Sequence, residues 1–279
     1  RDTFERRRNK GLPHSNRGVC HYCGPCERGC SAGAYFSSLS STLPAARATG
    51  NLTLRANSVV DRLELDTATG RIGTVHVIDA ETKARSKISA RLVFLCGSTI
   101  GSTQVLLNSR SERFPNGLAN DSGALARYLM DHTSQVHASG TFDGYEDYLP
   151  RGERPNGIYV PRFRNIERND EVPFVRGYGF QGGAGRSDWR GAAASTPGFG
   201  AQFKNALPRP GPWTMTLMGF GECLPYATNY MELHPTAVDR YGIPQVRFRF
   251  SWGANVLAQR RDMLEQAWMM LESVGAGNV

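Results

Sequence analysis

The chain has 279 residues, room for one large domain or two of ordinary size, and 40% of them are apolar, enough to bury a sizeable core. No apolar run approaches the roughly 20 residues needed to span a bilayer, and no secretory or twin-arginine signal opens the sequence. The formal net charge is +8, but the arginines are scattered apart from Arg6 to Arg8, and zinc-finger and RNA-binding signatures are missing. The charge therefore reads as a solvated basic surface, and no nucleic-acid partner is expected.

Residues 1–19 are a polar, charged lead-in. The stretch Val19 to Phe36, VCHYCGPCERGCSAGAYF, then places Cys20, Cys23, Cys26 and Cys30 in the spacing C-x2-C-x2-C-x3-C. Gly24, Pro25 and Gly29 lie between the sulfurs, so a tight loop can turn several thiolates towards one centre, which is ligand geometry. Three readings stand. Bacterial ferredoxins use this run for iron-sulfur clusters, with a proline after the last cysteine, and that cysteine serves a second cluster. Here Ser31 follows, and a 4Fe-4S cluster needs a ligand from elsewhere, whereas a 3Fe-4S cluster needs only three of the four cysteines. A structural zinc site usually draws on two cysteine pairs from separate loops. Disulfides suit a secreted chain. His21 reads as a neighbour of this site.

Beyond the loop the pattern predicts a small-residue helix over Ser38–Thr49, stopped by Gly50, and a short strand over Asn51–Arg55. Alternating segments at Val59–Asp66 and Gly73–Asp79 flank a turn at Thr67-Ala68-Thr69-Gly70, the signature of a β-hairpin or meander. Ile88 opens a third strand that runs into Leu92-Val93-Phe94-Leu95-Cys96, apolar on both faces as in a layered α/β sheet. Gly97-Ser98-Thr99-Ile100-Gly101 ends that strand, and a helix follows through Ser109. Such a junction can offer backbone N–H groups to an anion or a dinucleotide, although the G-x-G-x-x-G fingerprint is absent.

From His132 to Pro210 glycine, proline and aromatics dominate, with GYGFQGGAGRSDWRG as the loosest part. Strands follow at Trp213–Gly219 and Gln245–Phe250, the latter preceded by the turn Asp239-Arg240-Tyr241-Gly242-Ile243-Pro244. The last element, Asn255–Val274, is an amphipathic helix whose stripe is Leu257, Leu264, Ala267, Leu271 and Val274. The expected architecture is mixed α/β: residues 1–133 as part of a Rossmann-like FAD-binding domain, and residues 134–279 as part of an antiparallel-sheet substrate domain.

The order of these features resembles the glucose-methanol-choline (GMC) flavoprotein oxidoreductases. The resemblance rests on Asn51-Leu52-Thr53-Leu54, on Val60-Asp61-Arg62-Leu63 in place of V-x-R-I, and on GSTIGSTQVLLNS from Gly97 to Ser109. GLANDSGALARYLMDH from Gly117 to His132 resembles the family's G-R-x-L-x-D-H segment, and DRYGIP its D-x-x-G-x-P turn. Thr103 stands where the family signature has proline, and Arg110 where it has glycine. The likeness implies FAD, with Val60 against the adenine through its backbone, and Gly97, Ser98, Gly101 and Ser102 supporting the ribose and phosphate region. It also implies hydride transfer from an alcohol or sugar carbon to the flavin, with a histidine base. The family's dinucleotide fingerprint and catalytic histidine are not in this sequence, so the expectation is an internal fragment, inactive alone, with catalytic residues beyond Val279.

Some dehydrogenases of this family carry an iron-sulfur cluster and pass electrons to a cytochrome subunit, which would give the cysteine loop its purpose. Two other readings compete: a non-catalytic metal-binding or electron-carrier module on the same fold, and a secreted binding protein stapled by disulfides. His76, His132, His137 and His234 read as structural. Tyr159, Phe163, Tyr178, Phe180 and Trp189 suit either a pocket or a core. Cytoplasm and periplasm remain equally compatible.

Overall fold

The computed structural model describes residues 17–22, 29–145, 147–148, 157–166, 172–186, 193–194, 196–207 and 212–279. In chain order the elements are α1 (Thr42–Ala48), β1 (Ser58–Asp66), β2 (Arg71–Asp79), β3 (Arg85–Ser89), α2 (Ser98–Asn108), β4 (Val136–Phe142), β5 (Ile158–Val160), β6 (Tyr178–Arg186), α3 (Gly200–Ala206), β7 (Trp213–Gly221), β8 (Tyr230–Val238), β9 (Pro244–Arg249) and α4 (Ala254–Ser273). Helices and antiparallel sheets are mixed, in keeping with the mixed α/β class expected from the sequence. No described helix is long and apolar enough to cross a membrane.

The contacts divide the chain into two compact units. One comprises residues 54–131 and 223–254, and the other residues 1–53, 132–222 and 255–279. A junction at 131/132 adjoins the boundary expected from sequence, but each unit also draws on the far side of it.

In the first of these units, β1, β2 and β3 form an antiparallel meander. Asp66 starts the first hairpin by accepting N–H groups from Ala68 and Thr69, at 2.9 and 3.4 Å. These bonds, with the Thr69 hydroxyl foremost, hold its carboxyl below the usual range. Gly70 closes the turn at φ +67°, a conformation that suits glycine. Helix α2 is tied to β1 through Ser109, whose hydroxyl donates to the Val105 carbonyl at 2.6 Å and accepts the Leu63 N–H at 2.8 Å. Around that tie Leu63, Val105, Phe114 and Leu118 form the core. The hairpin of β8 and β9 completes the unit.

Two expectations fail here. Asn51–Arg55 belongs to no strand: its side chains are exposed, and no described strand lies beside it to accept a ladder. The third strand stops at Ser89, so Leu92–Cys96 is unpaired, with Val93 and Leu95 packed on the core but Leu92 and Phe94 exposed at 77% and 84%. An apolar run reports which residues would favour burial; it does not report whether both faces are covered.

The other unit is organised by a four-stranded antiparallel sheet in the order β4-β7-β6-β5. Tyr178 and Phe180 of β6, Leu217 of β7, and Val136 and Ala138 of β4 meet Met263, Ala267 and Leu271 of α4 in one apolar cluster. Full burial of each large side chain is worth about 1.5–3 kcal/mol. Helix and sheet approach closely over glycine: a Cβ on Gly219 would lie 2.9 Å from Met263 Sδ, and one on Gly221 would lie 2.4 Å from Met263 Cε. Arg164 and Asp262 pair through two hydrogen bonds of 2.9 Å. Tyr178 also donates its hydroxyl to Asp262, and burial, then this carboxylate, pushes its ionisation well above the ordinary range.

Among the described residues of 132–210, β4, β5 and β6 give more regular structure than the glycine- and proline-rich composition suggests. The buried stripe of α4 is Val256, Gln259, Met263, Ala267 and Leu271. Of the expected stripe, Leu257, Leu264 and Val274 are exposed instead. Gln259, polar yet buried, masks the true phase; it donates to the Gly177 carbonyl at 3.2 Å.

Candidate cofactor site

The site begins with a fault in a strand. On β1 the register with β2 steps from Val60↔Val77 to Arg62↔His76, leaving Asp61 as an extra residue. A bulge of this kind bends a strand and re-aims its side chains. Here it buries Asp61 to 4% and leaves Val60 at 37%. Asp61 Oδ2 accepts from Arg62 at 2.9 Å and from Arg85 at 2.7 Å, and Oδ1 accepts from Asn108 at 2.9 Å. One satisfied carboxylate therefore locks β1, β3 and α2 together, as a buried charge requires.

Over this lock lies a cavity of about 410 Å³. Its walls come from Val59–Asp61, from the extended stretch Phe94–Gly97, from Gly101, Gln104 and Val105 of α2, and from Asp239, Tyr241 and Ile243 of the turn between β8 and β9. The lining is mostly apolar with a few polar groups, the composition of a small-molecule site. Helix α2 has no side-chain cap and no acidic residue in its first turn, so its N-terminal N–H groups remain for another acceptor. Gly101 leaves open space where a Cβ would stand, and Ser98 takes a positive φ of 62°, uncommon for a residue other than glycine.

Of the residues expected to touch a cofactor, Val60, Gly97 and Gly101 are gathered on this one cavity, while Ser98 and Ser102 sit in the same helical turn outside its lining. The participation of Asp239, Tyr241 and Ile243 was not read from the sequence. Their DRYGIP motif signalled only a turn, and nothing local links it to residues some 140 to 180 positions earlier.

The cysteine loop is described in part. Cys23 and Cys26 lie outside the described residues, and Cys20 and Cys30 are free thiols. The segments that carry these two are joined: the Gly18 N–H reaches the Ala32 carbonyl at 2.7 Å, and Arg17 reaches the Ala34 carbonyl at 2.8 Å. Cys20 Sγ accepts the Tyr22 N–H at 3.4 Å. The backbone N–H of Tyr35 foremost, with those of Ala34, Ala32 and Gly33, holds the Cys30 thiol below its ordinary range. Amide donors around a sulfur favour the thiolate, the form that ligates metal. Among the described residues no group of three or more potential ligands gathers.

Two of the described histidines sit in hydrogen-bonded settings. His76 Nε2 meets Glu64 Oε2 at 2.6 Å, and His234 Nδ1 accepts N–H groups of Thr236 and Ala237 at 3.2 and 2.8 Å. His137 lies exposed on β4, and His132 is exposed just before it. Phe163, Tyr178 and Phe180 are core aromatics in mutual contact; Tyr159 is exposed, and Trp189 lies outside the described residues.

Residues 7–133 match the GMC oxidoreductase family model, and the chain belongs to that family. It is 30% identical over 243 residues, 80% of its length, to a 2-methyl-1,2-propanediol dehydrogenase of Mycolicibacterium austroafricanum, covering 40% of that protein. It is 26% identical over 95% of its length to the gluconate 2-dehydrogenase flavoprotein of Pantoea cypripedii, covering 45%. To the fructose dehydrogenase large subunit of Gluconobacter japonicus it is 23% identical over 88% of its length, covering 43%. The chain thus spans less than half the length of these relatives.

Proposed function

We propose that this chain is the cofactor-holding part of an FAD-dependent dehydrogenase that oxidises a CH–OH group of an alcohol or sugar. The observation that carries the reading is the convergence of Val60, Gly97 and Gly101 on one cavity. These are three of the residues that the family resemblance associates with the adenosine end of FAD. The donor set fits that group: an apolar slot for a flat base, backed by a helix N-terminus without a side-chain cap, where phosphate oxygens are favoured. Val59, Val60 and Val105 would hold the base, and Gly97 and Gly101 would let a ribose or phosphate approach the backbone. FAD, when bound, supplies the acceptor for the hydride of the CH–OH carbon.

The finer reading is that Cys20, Cys23, Cys26 and Cys30 hold an iron-sulfur cluster that relays electrons to a cytochrome or another protein acceptor. The spacing C-x2-C-x2-C-x3-C supports it, since cysteine thiolates in such a run hold iron-sulfur clusters. In the division of labour we propose, residues 1–133 face the cofactor and residues 134–279 supply most of the substrate side.

The test is anaerobic mixing of the full-length gene product with a panel of polyols and sugars, with iron and acid-labile sulfide assayed on the same sample. Bleaching of a flavin band by at least one alcohol, with little turnover on oxygen, is expected. A protein without flavin overturns the reading, and flavin without iron and sulfide removes only the relay.

A further inference from the structure

The turn Asp239–Pro244 was read from the sequence as a substrate-domain feature, yet it forms one wall of the cavity over Asp61. Its build is rigid. Asp239 Oδ1 accepts the N–H groups of Tyr241 at 2.8 Å and Ile243 at 3.0 Å, and the Asp239 N–H reaches the Ile243 carbonyl at 2.8 Å. Gly242 holds φ +77°, which a side chain would disfavour. The turn is also fastened from outside: Gln104 of α2 donates to the Pro244 carbonyl at 2.9 Å, and Arg85 of β3 to the Tyr241 carbonyl at 3.3 Å.

Tyr241 is the aromatic residue of this turn, and its ring is held by cations. Lys83 Nζ lies 4.3 Å from the ring centre and Arg240 Cζ 4.9 Å, distances at which the ring quadrupole attracts a positive charge. Ile243 beside it is buried to 4%. Tyr241 and Ile243 line the same mostly apolar cavity as Val59 and Val60, and this set of side chains suits a planar heteroaromatic ring.

We infer that Tyr241 is the wall residue that selects the adenine ring of the dinucleotide, and that the DRYGIP turn is a fixed part of the cofactor site. This rests on the reading that the cavity takes the adenosine end of FAD. Lys83 and Arg240 are positioning residues that hold the ring. Affinity for adenosine compounds therefore depends on a segment more than 170 residues from Val60 in sequence, and a flavin nucleotide without adenosine gains nothing from it.

The experiment is a calorimetric titration of the full-length gene product, freed of flavin, with AMP and separately with FMN. Wild type is expected to bind AMP, and Gly101→Leu, which fills the cavity, to abolish that binding. Tyr241→Ala should weaken AMP about tenfold, the scale of one lost aromatic–base contact, with Tyr241→Phe near wild type and FMN binding equal in wild type and both Tyr241 variants. Equal AMP affinity in wild type and Tyr241→Ala, with Gly101→Leu still blocking, overturns the role of Tyr241 and leaves the site standing. Failure of wild type to bind AMP, or AMP binding undisturbed by Gly101→Leu, overturns the site itself. A fall in FMN binding with Tyr241→Ala also overturns the inference, because it reports a general loss of structure.

Discussion

At Asp61 one buried carboxylate accepts from Arg62, Arg85 and Asn108 while the neighbouring valine faces the cavity. The bulge makes both possible, since an unbroken ladder would leave no extra residue to turn inward. Replacing Asp61 by alanine removes the shared acceptor and leaves Asn108 without its carboxylate partner. The expected cost is about 2–3 kcal/mol, read as a lowered midpoint in urea, with Asp61→Asn recovering part of it. The sequence Val60-Asp61-Arg62-Leu63 was recognisable as a motif, so Val60 could be singled out. That Asp61 is the internal anchor was not legible, because Arg85 and Asn108 are distant along the chain and an aspartate in a strand pattern reads as a solvent-facing residue.

At the level of elements, the hairpin β1–β2 was legible, because alternation and the Asp66–Gly70 turn chemistry are local. Strand β6 was not, because after Tyr178 and Phe180 it continues as Gln-Gly-Gly-Ala-Gly-Arg, which has loop composition. It becomes a strand through pairing on both sides, with β5 and with β7. The stripe of α4 was misread for a related reason: Gln259 occupies a core position, and the exposed Leu257 and Leu264 imitate one. The meander also carries a pH-dependent tie. Glu64 on β1 accepts from Lys87 on β3 at 3.0 Å and meets His76 on β2 at 2.6 Å, and the Lys87 hydrogen bond foremost, then that of His76, lowers its ionisation. A carboxyl whose folded value is lowered contributes stability that is complete above its unfolded value, about pH 4.3, and is lost as pH falls through the folded value. Thermal melts should therefore show wild type above Glu64→Gln near neutral pH. The gap should close as pH drops below about 4, whereas a gap that persisted to lower pH would exclude this tie as its origin.

For the whole molecule, the two units differ in what their sequences disclosed. The unit holding 54–131 carries the motifs that resemble the family's, and Val60, Gly97 and Gly101 from them converge on one cavity. In the sheet unit Phe163, Tyr178 and Phe180 proved to be core while Tyr159 is exposed, so composition alone identified no pocket there. Membership in the GMC oxidoreductases accords with both, and we propose that the cavity over Asp61 takes the adenosine end of FAD. Gly101→Leu tests it most directly, because a side chain there enters open space and a helix gains up to about 1 kcal/mol on losing an interior glycine. The variant should thus fold as well as wild type. The measurement is the flavin absorbance per mole of purified full-length protein, taken beside a thermal melt. If the cavity holds the adenosine end, wild type carries near-stoichiometric flavin and Gly101→Leu is folded but colourless or strongly flavin-depleted. A folded variant that keeps its flavin in full would contradict it.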